Sequence, residues 1–236
     1  MVVKHIIKKE LFSYFYSPIA YIYVLFFLVI NHWYFFKNLF IYNQASMYSF
    51  FSVAGYFLLL LISSISMRVW SEEKKSGTLL YLFSLPVSYG QLILGKYLAS
   101  LIFLSLIIFA TLPFVFVVFY VGSPDIGIIF SSYLGLFLLG AVFLAIGFFC
   151  SSITENQIIS FLISLIICFV TFIMNSSLFI YSFPTVMHPY LNYFSLSGHY
   201  DFFVNGLING VSILYMFSFI ILFLSLNYFV FLTRSD

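Results

Sequence analysis

Residues 97–124 read YLASLIFLSLIIFATLPFVFVVFYVGSP, 28 positions without a charged side chain. A helix needs roughly 20 mostly apolar residues to cross the hydrocarbon core of a bilayer. A charge at the centre of such a helix costs about 2.5–3.5 kcal/mol. The stretch therefore reads as a membrane span. Working outward, the same pattern recurs: uncharged runs cover 11–36, 38–67, 126–154, 156–200 and 202–233. Each holds one span, drawn at 19–36, 51–67, 99–121, 128–149, 158–175 and 211–232. The run 156–200 is long enough for two, but Pro184, His188, Pro189, Asn192, Ser195 and His199 interrupt its second half. That half reads as a semi-polar segment at the membrane surface or partly re-entrant. The expected architecture is all-α, with six transmembrane helices in a single domain over 1–236.

Composition agrees. Of 236 residues, 64% are hydrophobic and 7% charged, the net charge is +2, and the mean hydropathy is +1.14. A soluble domain carries about 25% charged residues. Intrinsic disorder, a disulfide scaffold and a basic nucleic-acid binder are excluded. The two cysteines, Cys150 and Cys168, sit in apolar runs and read as buried thiols, not as a bridge or metal pair. Basic residues favour the cytoplasmic side. With the N-terminus inside, Lys4, Lys8, Lys9, Arg68, Lys74, Lys75, Lys96 and Arg234 face the cytoplasm, and of the basic residues only Lys37 falls outside. The reading is N-in, C-in.

Helix signals mark the boundaries. Ser123-Pro124-Asp125 supplies a cap, a proline and an acid before the fourth span. Thr154-Glu155-Asn156-Gln157 and Ser88-Tyr89-Gly90-Gln91 have capping-box spacing before the fifth and third, and Gly122 stands where the third should end. His32-Trp33-Tyr34-Phe35-Phe36 suits an aromatic belt at the outer interface. The N-terminal segment lacks the apolar core and cleavage site of a signal peptide. Val3, Ile6, Ile7, Leu11 and Tyr14 recur at helical spacing, with Lys4, His5, Lys8 and Lys9 largely opposite. That is an amphipathic helix lying on the inner leaflet; a simple positive anchor is the plainer alternative.

Most of the cytoplasmic polarity lies between the second and third spans, from Arg68 through Glu72-Glu73-Lys74-Lys75-Ser76-Gly77-Thr78 to Pro86. Ser71 is placed to cap a helix whose first turn carries Glu72 and Glu73. Gly77-Thr78 allows a break and restart, Leu79, Leu82 and Phe83 make an apolar face, and Pro86 ends it. A charged turn before a short apolar-faced helix has the character of a docking element. A helix resting on lipid headgroups has the same pattern.

The run Ser66-Met67-Arg68, Glu72-Glu73-x-x-x-Gly77-Thr78, Leu85-Pro86-Val87-Ser88 and Gly95-Lys96 resembles the ABC-2 family of ABC-transporter permease subunits, most closely those of the gliding-motility type. Cys150 to Gln157 resembles the family's loop before its fifth span, and His199 to Ile208 its segment before the last. In one departure, Leu80 stands where the family usually has a second Glu. The resemblance implies an exporter subunit of the bacterial cytoplasmic membrane that pairs with itself or a related permease. It also implies a separate cytoplasmic ATPase subunit, which binds the ATP. This chain would carry no cofactor, metal or catalytic residue. Arg68, Glu72, Glu73, Gly77, Thr78, Pro86 and Lys96 would then form the ATPase-coupling interface, around a helix that transmits closure of the ATPase.

Other motifs lead elsewhere. Gly90 to Lys96 approaches a phosphate-binding loop but has Tyr97 where magnesium needs Ser or Thr, and it precedes a span. Glu72-Glu73 is also a feature of intramembrane prenyl-protein proteases, but Gly77 replaces their Arg, and His188 and His199 lie in the outer segment. Asn175-Ser176-Ser177 forms a glycosylation sequon at a membrane boundary. Ser131-x-x-x-Gly135 and Ala141-x-x-x-Ala145 permit close helix approach, either within the chain or along a seam. No span carries an ionisable group at mid-depth, which disfavours ion-coupled transport. The alternative to a permease is a non-transporting membrane anchor or regulator of a cytoplasmic complex.

Overall fold

The computed structural model describes residues 2–42, 46–79 and 87–233, and among them there is no strand. The helices are α1 (Val2–Tyr16), α2 (Pro18–Tyr42), α3 (Tyr48–Ser66), α4 (Arg68–Lys75), α5 (Tyr89–Phe109), α6 (Leu112–Val121), α7 (Ile126–Ile153) and α8 (Gln157–Ile173). Short helices follow, α9 (Ser177–Ile180), a 3-10 turn (Thr185–Met187), α10 (His188–Phe194) and α11 (Leu196–Val204), before α12 (Gly210–Leu232). Among the described residues five stretches are long and apolar enough to cross a membrane: Ala20–Ile41, Tyr48–Lys75, Tyr89–Val121, Ile126–Ile153 and Gly210–Leu232. α8 is apolar but has 17 residues. That gives about 26 Å of rise, at the short limit for a span.

The expected boundaries shift in physically legible ways. α2 continues to Tyr42, so the aromatic cluster and Lys37 lie within the helix, with Lys37 Nζ 5.6 Å from the Trp33 ring. The third span starts at Tyr89, ten residues earlier than drawn, and breaks between Phe109 and Leu112. Pro113 causes the break, because its ring opposes the carbonyl four residues earlier and it has no N–H. Thr111 Oγ1 donates to the Ile108 carbonyl at 2.7 Å and lies 3.0 Å from the Tyr133 hydroxyl, fixing the kink to α7. Ser88 caps α5 as its spacing predicted. The other two caps move: Asp125, not Ser123, accepts the Gly127 N–H, and Asn156, not Thr154, accepts the Ile158 N–H. Thr154 instead closes α7, with its hydroxyl on the Cys150 carbonyl. Gly122 does end α6, in extended backbone at φ −165°.

α7 is the axis of the bundle, buried almost throughout and packed by α3, α5, α8, α11 and α12. Its small residues are used inside the chain. A Cβ at Gly135 would strike Phe203 on α11, and one at Gly147 would strike Ser66 at the end of α3. Ser131 Oγ donates to the Phe203 carbonyl at 2.8 Å. The segment before α12 is not merely superficial. α11 buries Leu196, His199, Tyr200, Phe203 and Val204, and the Tyr200 hydroxyl donates to the Phe51 carbonyl at 2.8 Å. α2, by contrast, leaves Tyr21, Ile22, Leu25, Phe26 and Val29 exposed, surface that acyl chains would cover in a bilayer.

Candidate functional site

α3 runs almost directly into α4 through Met67. Ser71, expected to cap α4, lies in its middle, with its hydroxyl donating to the Met67 carbonyl. Val69 and Trp70 explain the earlier start: both are buried, so the first turn of α4 is drawn into the bundle. The cap comes from another helix. Ser151, near the end of α7, accepts the Trp70 and Ser71 N–H groups at 3.0 and 3.1 Å and donates to the Met67 carbonyl at 3.1 Å. The Lys74 ammonium donates to the neighbouring Ser152 carbonyl. Trp70 packs edge-on against Phe231 of α12, with ring centroids 4.7 Å apart.

The acidic pair splits. Glu72 stays half exposed and pairs with Arg68 at 3.2 Å; Arg68 also donates to Ser17 at 2.7 Å. An exposed pair one helical turn apart is worth only about 0.3–0.5 kcal/mol. Glu73 turns inward. Its Oε1 meets Lys96 Nζ at 2.7 Å, and that ammonium also reaches Glu10 Oε1 at 3.1 Å and the Val69 carbonyl at 3.1 Å. Lys96 is 3% exposed and its ammonium lies 4.8 Å from the centre of the Trp70 ring. One buried lysine on α5 thus holds α1 and α4 together.

α4 ends at Lys75, and Gly77 follows at φ +71°, its N–H on the Lys74 carbonyl at 3.1 Å. This is the left-handed helix terminus that glycine adopts without steric cost. Thr78 Oγ1 lies 2.9 Å from Ser76 Oγ, and helical backbone resumes at Thr78 and Leu79, as the expected restart required. Leu80, Leu82, Phe83 and Pro86 lie outside the described residues.

α1 supplies the partner that the sequence reading missed. Its inner face comprises Val3, Ile6, Ile7, Glu10, Leu11 and Tyr14, while Lys4, His5, Lys8 and Lys9 are exposed. That face lies on α5 and not, as expected, on the inner leaflet: Ile6 sits against Gly95, and the Tyr14 hydroxyl is 2.8 Å from Ser100 Oγ. Glu10 shares the face at helical spacing, the one signal that could have picked it out. Ser151 belongs to the quoted Cys150–Gln157 motif, but nothing local discloses what its hydroxyl holds.

Glu72 and Glu73 are remote from His199. His199 stands at the Phe51 end of α3 through its neighbour Tyr200, and α4 lies beyond the other end. The intervening helix is about 28 Å long. That length keeps Glu72 and Glu73 apart from His199.

The profile of the ABC-2 family transporter proteins matches residues 35–235. This chain belongs to that family. The match runs from Phe35, within α2, through α12, including α4 and Lys96, and leaves Glu10 and α1 outside it. ABC-2 members are membrane components that typically work with a separate ATP-binding subunit. No curated protein matches the chain in sequence.

Proposed function

We propose that this chain is the permease subunit of an ATP-driven ABC-2 exporter in the bacterial inner membrane. It has six spans with both termini cytoplasmic, α8 being the shortest, and it assembles with a second permease and with a separate cytoplasmic ATPase. The kinship with the gliding-motility-type permeases is part of this proposal and is supported by the motif resemblance alone.

The observation that carries the reading is the construction of α4. A charged helix at one end of the bundle ends in a left-handed glycine, presents Glu72 outward and is bound from behind by Ser151 and Lys96. Glu72, Gly77 and Thr78 form the surface that meets the ATPase, and the motif resemblance adds Pro86 to the contact. Arg68, Glu73 and Lys96 hold that surface to α1, α3 and α5, so force applied at α4 reaches the spanning helices through a paired charge and a short rigid junction. The test is co-purification with an ATPase encoded nearby, and its stimulation by this subunit. Gly77→Val and Glu72→Arg are expected to abolish stimulation while membrane insertion is retained. Unchanged stimulation, or nucleotide hydrolysis by this chain alone, would sink the assignment.

A further inference from the structure

A cavity of about 520 Å³ opens beside this cluster, walled by α1, the start of α2, the α3–α4 junction and Lys96. We propose that it binds the headgroup of a glycerophospholipid carrying a primary ammonium. Among the described residues its charged wall residues are Lys9, Glu10, Arg68, Glu72, Glu73 and Lys96, three of each sign, a balance that suits a zwitterion better than an anion. The signs are not mixed evenly. At the α5 side two carboxylates, Glu10 and Glu73, share the single ammonium of Lys96. Glu73 Oε2 is buried there with no hydrogen-bond partner among the described residues.

Two carboxylates around one cation call for a second. A ligand ammonium supplies it, and a turn of the Glu73 carboxylate about its soft terminal torsion presents Oε2 to the new donor. Lys9 and Arg68 belong to the same wall, where a phosphate would find cations. Ala20, Tyr23 and Ile65 add apolar wall from the first and second spans. The volume lies within the usual range for small-ligand sites. α1 keeps Lys4, Lys8 and Lys9 exposed at this end of the bundle, a charged face suited to lipid headgroups. The leaflet follows from the proposed orientation, but the site itself does not depend on it.

The full chain in detergent micelles is titrated with short-chain phosphatidylethanolamine, phosphatidylcholine and phosphatidylglycerol, with bound lipid read by native mass spectrometry and the unfolding midpoint followed in parallel. Phosphatidylcholine keeps the positive charge but has no N–H, and phosphatidylglycerol has no cation. Phosphatidylethanolamine is expected to bind about tenfold more tightly than either, the worth of one charge-assisted hydrogen bond. Ser13→Trp fills the cavity from an exposed wall position and leaves Glu10, Glu73 and Lys96 in place; it should erase that preference without lowering the lipid-free midpoint. Equal binding of the three lipids, or a preference that survives Ser13→Trp, would overturn the proposal. So would competition by acyl-free phosphoethanolamine as strong as the lipid itself, which would mean a soluble ligand. None of these readings involves an ATPase, so failure here leaves the permease assignment standing.

Discussion

Lys96→Met is the most informative single change. The lysine ammonium is 2.7 Å from Glu73, 3.1 Å from Glu10 and 3.1 Å from the Val69 carbonyl, and the residue is 3% exposed. Methionine nearly conserves the volume and keeps the contact with Trp70, so packing loss contributes little. What remains is a pair of largely buried carboxylates with no cation between them. Breaking a buried ion pair by removing one partner costs about 3–5 kcal/mol, because the surviving charge is left without compensation. Removing both carboxylates as well changes the sign of the comparison: the triple variant Glu10→Gln, Glu73→Gln, Lys96→Met buries no net charge and should recover most of the loss. Reversible chemical unfolding in mixed micelles, run as a multiple-mutant cycle, measures the coupling. A loss below about 1 kcal/mol for Lys96→Met, or additive losses across the three positions, would refute the picture of one lysine clasping two helices.

Other expectations follow from particular contacts. Ser151→Ala removes the acceptor for the Trp70 and Ser71 N–H groups; it should cost about 1–3 kcal/mol, and amide exchange should rise at those two positions before others. Gly147→Ala drives a methyl into Ser66 and should destabilise by about 1–3 kcal/mol. Adding Ser66→Gly should restore much of that, and failure to do so would show that the two helices do not meet there. Burial holds His199 below the ordinary imidazole value of 6.5, with the bond to the Tyr193 carbonyl opposing the shift. Its folded value lies below its unfolded one, so this stability is complete above about pH 6.5 and is lost as pH falls through the folded value. The unfolding midpoint should therefore fall from pH 7.5 to 5.5, less steeply in His199→Gln; parallel slopes would remove His199 as the cause.

Much of the helix inventory was legible because its causes are local. A long uncharged run, the α1 stripe and the Ser88 cap each depend on residues within a turn or two. Near-misses arose where two helices competed for one linker. In the linker from Thr154 to Gln157, α7 extends to Ile153 and takes Thr154 as its terminus, so the cap falls to Asn156. Ser71 failed as a cap for a tertiary reason: burying Trp70 starts α4 earlier, and Ser151 satisfies the first-turn amides, that of Ser71 from 80 residues away. Gly77 could be read directly, since a positive φ at a helix end is what glycine alone accepts cheaply.

The amino-acid order alone settled that this is a membrane protein of long helices, with its polar chemistry gathered in one short loop, because solvation by lipid acts on composition and on spacing along the chain. The fold decided which of two adjacent glutamates faces outward, that Lys96 is an internal tie, and that Glu10 belongs to the same cluster. Those outcomes depend on separations of 23 and 86 residues closing to hydrogen-bond distance. A buried charge can be matched only by whatever helix packing brings beside it, and no local pattern encodes that neighbour.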